Sequence, residues 1–373
     1  MSPDSSLMQQ GIALLNENTE ASLTEAIGFF DRAIAVRRES LVRGDHWMAY
    51  LIAGSWMNRG EALTRLARPA QLTEAVHSYD DALAALHDIP LDANPLYRWR
   101  QGIAWMNRGV TLHAQESVAA FAEAVRSFDE CIAIVRGHPE HMLLLACAWM
   151  NRGNSLLCVE PLDSEAARVS AVTALELLEG LERQDFLAAE TGLKARRIAC
   201  QAVGELLSSN PDPQRKLDLV SAATDEIEEG LELSRRWSTQ GGAGFQELTA
   251  DLFRFGVAVY RAHQPHFLTE FVLEHLDPSQ PEVGLAVNAE IHRSAAAALA
   301  GVVRDLHRDG FASVNTPRFD RLLEALRALH VTRERLRDLG QRQETGETDG
   351  RASEPTLPLE MTSDRNSSPP GCS

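Results

Sequence analysis

One five-residue string, Trp-Met-Asn-Arg-Gly, occurs three times in this chain, at Trp56–Gly60, Trp105–Gly109 and Trp149–Gly153. The first two copies start 49 residues apart and the next two 44 apart. A recurrence with that period means that similar supersecondary units follow one another, each burying an apolar face against its neighbour. A weaker copy, Leu7-Met8-Gln9-Gln10-Gly11, stands 49 residues before the first.

A second pattern runs in step with the first. Fifteen residues after Gly11, Gly60 and Gly109 comes an alanine that opens a small-aromatic-small triplet: Ala26, Phe30 and Ala33, then Ala75, Tyr79 and Ala82, then Ala124, Phe128 and Cys131. Spacings of four and three place each triplet on one face of a helix. Each unit is therefore predicted to be two helices. Composition agrees, since 44% of residues are hydrophobic but only 6% are aromatic, and no stretch alternates apolar and polar residues as a half-buried strand would.

Trp-x3-Gly followed by Ala-x3-Phe/Tyr-x2-Ala resembles the tetratricopeptide repeat family, although units of 44–49 residues exceed that family's usual length of about 34. The resemblance implies an all-α fold, an α-solenoid of antiparallel helix pairs, in which small residues let paired helices approach and the aromatic fills the space between units. It covers residues 5–160, three and a half units. Residues 161–340 are expected to continue the solenoid with degenerate repeats. Ala171, Leu175 and Leu178 are candidates to close a fourth unit, and Ala223, Ile227 and Gly230 a fifth. Later helices are expected at 246–262, 265–276, 281–309 and 316–339, with Asn315-Thr316-Pro317 as a helix start. From Gln341 the chain is rich in Gly, Ser, Thr, Pro and Glu, and 341–373 is expected to be a disordered tail.

The Asn-Arg pair of each motif needs an explanation beyond apolar packing. In the resembled family the first helices line a concave groove, which implies that Asn58, Asn107 and Asn151 face a bound peptide; an amide both donates and accepts, so it can hold an extended backbone of any sequence. The same helical face carries Met57 and Glu61, then Met106 and Val110, then Met150 and Asn154. Those methionines either line the groove as polarisable, adaptable contacts or fill gaps in the core. Some family members grip a terminal carboxylate with added basic residues, but Met8, Ile12 and Cys147 occupy those places here. For the arginines a structural role is predicted: Asp31 with Arg59, Asp80 with Arg108, and Asp129 with Arg152 form ion pairs between units.

Charge and motif content narrow the function. With 53 acidic against 36 basic residues, the formal net charge is −17, which disfavours binding to a nucleic-acid backbone. No apolar run approaches the roughly 18 residues of a membrane span, and the first residues lack a secretory-signal pattern, so a cytoplasmic protein is expected. Cys131, Cys147, Cys158 and Cys200 form no CxxC pair and are expected to be buried thiols, while Cys372 lies in the tail. No Walker loop, GxGxxG turn, HExxH or GxSxG elbow occurs, and His138-Pro139-Glu140-His141 lacks a third ligand, so no metal or cofactor is expected. Glu228, Glu229 and Glu232 are read as a solvated helix face.

The expectation is a scaffold or adaptor, not an enzyme, that holds a protein or peptide ligand in the repeat groove. The alternative is a self-associating regulatory or structural component, a homo-oligomer whose groove is filled by its own C-terminal helices. An enzyme with an unrecognised site in residues 240–340 is the third class.

Overall fold

A computed structural model describes residues 3–42, 44–237, 240–276, 289–308 and 321–331, together with Arg333, Glu334 and Arg337. The expected tail at 341–373, the Asn315-Thr316-Pro317 helix start and Cys372 lie outside the described residues. The described chain is all-helical and contains no strand: α1 (Pro3–Glu17), α2 (Glu20–Ser40), α3 (His46–Leu66), α4 (Pro69–Leu86), α5 (Pro95–His113), α6 (Val118–Val135), α7 (Met142–Leu156), α8 (Ser164–Leu178), α9 (Phe186–Ser208), α10 (Pro213–Trp237), α11 (Ala243–His263), α12 (Leu268–Leu276) and α13 (Ala289–Arg308), with residues 321–331 also helical. Among the described residues no helix is long and apolar enough to cross a membrane.

Local chemistry sets where these helices begin. Thr19 and Ser22 form a reciprocal capping box at the start of α2. Asp45, Asn94, Ser117, Asp163 and Asp185 each accept a hydrogen bond from a backbone N–H of the first turn they precede, at 2.8–3.3 Å. Each such bond satisfies a donor that the helix leaves orphaned. Pro69 and Pro95 open α4 and α5, where a missing N–H is harmless.

Each helix packs on the next in the chain, and the odd-numbered helices also touch one another from α1 through α13. The triplets of the sequence pattern form the cores of these contacts. Ala26, Phe30 and Ala33, Ala75 and Ala82, and Ala124, Phe128 and Cys131 are sealed from solvent, and Tyr79 is 2% exposed. The motif glycines explain why: a Cβ added at Gly60 would stand 2.8 Å from Tyr79 Cζ, and one at Gly109 would stand 2.5 Å from Phe128 Cε1. No side chain fits between these rings and the helix that bears the glycine. The same lock joins Gly11 to Phe30 and, in α11 and α12, Gly256 to Phe271.

The fourth pair departs from the expected register. Arg152 Nη1 donates to Ser170 Oγ at 2.7 Å as Arg108 Nη1 does to Ser127 Oγ at 2.8 Å. Ala171 therefore takes the slot that Phe128 fills, four residues away from the register in which Leu175 would take it. With no ring to accommodate, α8 draws in until a Cβ on Gly153 would meet the backbone oxygen of Ala167 at 3.0 Å. Beyond Arg196, a larger cluster that includes Leu231, Leu252, Phe253, Phe271, Ile291 and Leu299 joins α9–α13 and residues 321–331.

Candidate functional site

The residues of each Trp-Met-Asn-Arg-Gly string point in different directions around their helix. In the first two copies the glycine sits under the aromatic of the following helix, Gly60 under Tyr79 and Gly109 under Phe128, whereas Gly153 faces Ala167 and Ser170 of α8. The arginine, half-buried, folds back over its own tryptophan, with Cζ at 5.6, 5.7 and 5.5 Å from the ring centroids of Trp56, Trp105 and Trp149. At that range the cation is attracted to the ring face.

All three guanidinium groups make the same connections. Nε donates to the acid carried by the preceding helix, Arg59 to Asp31, Arg108 to Asp80 and Arg152 to Asp129, each at 2.7 Å. Nη1 donates to a serine on the following helix, Ser78, Ser127 and Ser170, at 2.7–2.8 Å. In the first two copies Nη2 also meets a glutamate, Glu74 or Glu123. Each arginine thus joins three consecutive helices through one planar fork. Burial opposes the Arg59 charge, but the hydrogen bonds and negative charge of Glu74 and Asp31 outweigh it and hold its pKa above the ordinary value.

Sequence pattern alone does not mark Ser78, Ser127, Ser170, Glu74 or Glu123 as partners of these arginines. A signal exists: in two units a serine stands immediately before the aromatic of the triplet, Ser78-Tyr79 and Ser127-Phe128. Serine in a helix is unremarkable, which is why the signal passes unnoticed until a partner is known.

The methionines lie in the core. Met57, Met106 and Met150 are 8%, 6% and 8% exposed. Met57 clusters with Tyr50, Tyr79 and Ala104, Met106 with Phe128 and Ala148, and Met150 with Ala171 and Ile198. The groove-lining reading of these three is corrected: each thioether fills the junction between its helix pair and the next odd helix, where a flexible unbranched chain packs best.

The asparagines sit half-buried one step further round. Among the described residues the side chains of Asn58 and Asn107 make no hydrogen bond, and neither amide is among the polar atoms sealed from solvent without a partner. Asn151 differs, because its Nδ2 approaches Met106 Sδ at 3.6 Å. Of the other residues on this face, Glu61 pairs with Arg65 one turn on, and Val110 is 40% exposed. Asn154 Nδ2 lies 3.2 Å from His113 Nε2, and His113 Nδ1 lies 2.9 Å from Ser155 Oγ.

Two further polar clusters hold the C-terminal helices. Arg196, 3% exposed, donates from Nη1 and Nη2 to both oxygens of Glu182 at 2.7 and 2.9 Å, and from Nη2 to Glu229 at 3.1 Å. Its Nε and Glu226 Oε2 face each other at 3.4 Å, and neither makes a hydrogen bond. Burial raises the Glu226 pKa against the pull of Arg196. Glu228 is not part of a solvated face. It accepts from Tyr260 Oη at 2.9 Å and lies 3.1 Å from His275 Nε2, and these partners lower its pKa despite burial that would raise it. Glu232 is exposed, as expected.

Among the described residues no group of three His, Cys, Asp or Glu side chains is placed to hold a metal ion. No family model matches the chain, and no curated protein matches its sequence.

Proposed function

We propose that the helix pairs stack as one α-solenoid of tetratricopeptide-like units and that the face bearing Asn58, Asn107 and Asn151 holds a segment of another protein. The observation that carries this reading is the pair of open amides at Asn58 and Asn107. They occupy the same register on α3 and α5, two helices in direct contact, and neither makes a hydrogen bond among the described residues. An amide that packing does not need and the chain does not satisfy is a ready donor and acceptor for a ligand backbone. Met57, Met106 and Met150 belong to the support of that face, while Val110 and Asn154 belong to its surface. The charge of −17 favours a protein ligand over nucleic acid.

The test is affinity capture from native extract with the wild-type chain beside an Asn58→Ala, Asn107→Ala, Asn151→Ala variant. Proteins retained by the wild type and lost by the variant are ligands of this face. Identical captures by the two proteins refute it.

A further inference from the structure

His113, in the last turn of α5, is held by uncharged neighbours on three sides. Its Nδ1 is 2.9 Å from Ser155 Oγ and its Nε2 is 3.2 Å from Asn154 Nδ2, both on α7. Its ring meets the edge of Phe121, on α6, with centroids 5.0 Å apart. Glu116, in the turn after α5, is the charged group that acts on it.

We infer that His113 is a pH-sensing positioning residue whose protonation decides which end of the Asn154 amide is free to meet a ligand. An amide nitrogen can only donate, so with Nδ2 toward the ring, Nε2 must be the lone-pair nitrogen and Nδ1–H must donate to Ser155. The ring is then neutral, and Asn154 keeps Oδ1, an acceptor with no hydrogen-bond partner among the described residues. Adding a proton to Nε2 places two donors face to face. Ser155 need not respond, because its hydroxyl accepts from Nδ1–H in either state. Asn154 must respond by turning its amide so that Oδ1 accepts from Nε2–H and Nδ2 becomes the free end. The exposed acceptor is exchanged for a donor.

Burial lowers the pKa of His113 from its ordinary value near 6.5, with Glu116 opposing, so the exchange belongs to mildly acidic solution. The consequence for a ligand rests on the peptide-binding reading above; the coupling between the two side chains does not.

The test is an NMR titration of the full chain with 15N-labelled His and Asn, assigned through His113→Gln and Asn154→Ala. At pH 7.5 the imidazole proton should reside on Nδ1, and the ring should titrate with a midpoint below 6.5. The Asn154 side-chain amide signals should move with the same midpoint and stop moving in His113→Gln. Asn154→Asp sets a carboxylate beside Nε2 and should raise the midpoint by about one pH unit or more. Asn154 signals that stay still through the transition, a proton resting on Nε2, or a midpoint unchanged in Asn154→Asp would each overturn the inference. If coupled titration is observed but capture detects no ligand, the peptide reading falls and this device stands. If capture succeeds and the titrations are independent, only the device falls.

Discussion

Replacing Arg108 with Met tests whether the repeated arginine holds three helices together or merely decorates their surface. Methionine keeps an unbranched stem over Trp105 and deletes the fork. The lost contacts are Nε to Asp80 Oδ1 at 2.7 Å, Nη1 to Ser127 Oγ at 2.8 Å and the longer Nη2 contact to Glu123 at 3.4 Å. A hydrogen bond involving a charged group is worth about 1.5–3 kcal/mol when shielded. The carboxylates of Asp80 and Glu123 are 45% and 44% exposed, so water replaces much of what they lose. Ser127 is sealed from solvent, but it still donates to the Glu123 backbone oxygen at 3.0 Å, so it is not orphaned. The net loss should be about 2 kcal/mol. Asp80→Asn keeps an acceptor beside Nε and should lose only about 0.5 kcal/mol.

Equilibrium urea unfolding, followed by far-ultraviolet circular dichroism and tryptophan fluorescence, measures both variants. Because the Arg108 side chain is 16% exposed and one of its bonds goes to a neutral hydroxyl, at least half of the loss should persist in 1 M salt. If Arg108→Met is no more destabilising than Asp80→Asn, or if its effect disappears in salt, the arginine is an ordinary surface ion pair and the reasoning is wrong.

Gly109→Ala should destabilise by about 1–3 kcal/mol through overpacking, since the new methyl would meet Phe128 Cε1 at 2.5 Å; calorimetry showing a smaller loss in a Phe128→Leu background would confirm the clash, and equal losses would refute it. Glu226→Gln should raise the urea midpoint at neutral pH relative to wild type. The carboxyl's folded pKa is raised by burial, so its stabilising contribution is complete below the unfolded carboxylate value and is lost as pH rises through the folded one. A variant that is less stable at pH 7 than at pH 4.5, compared with wild type at each, would contradict this. Asn58→Ala and Asn107→Ala should each change stability by under about 0.5 kcal/mol, because neither side chain bonds to the fold; a thermal midpoint lowered by several degrees would show that the amides are structural.

The repeat was legible because packing constrains identity where a helix meets its neighbour closely. Gly60 and Gly109 recur because a Cβ there would run into Tyr79 or Phe128, and the small residues flanking those rings are sealed in the same contacts, so their spacing marks the helix pairs directly in the sequence. The partners of the arginines were half legible. Asp31, Asp80 and Asp129 stand at a fixed place after each aromatic, whereas the serines that complete the fork look like any others in a helix. Past Gly153 the pattern loses its ring, and a register counted in residues no longer tracks the slot: Ala171 and not Leu175 follows the bonded serine. The Tyr260-Glu228-His275 cluster was not legible at all, because its members come from three helices that share no motif.

Sequence alone determined that residues 5–160 are helical and built of repeated pairs, since period and small residues are properties of short segments. Tertiary structure alone decided which residues of each motif remain available. Met57 and Asn58 are adjacent, and both are compatible with a binding face. One step of about 100° around the helix turns the first into the junction with α4 and α5 and leaves the second with an unused amide. That choice depends on where neighbouring helices pass, and no residue within the motif encodes it.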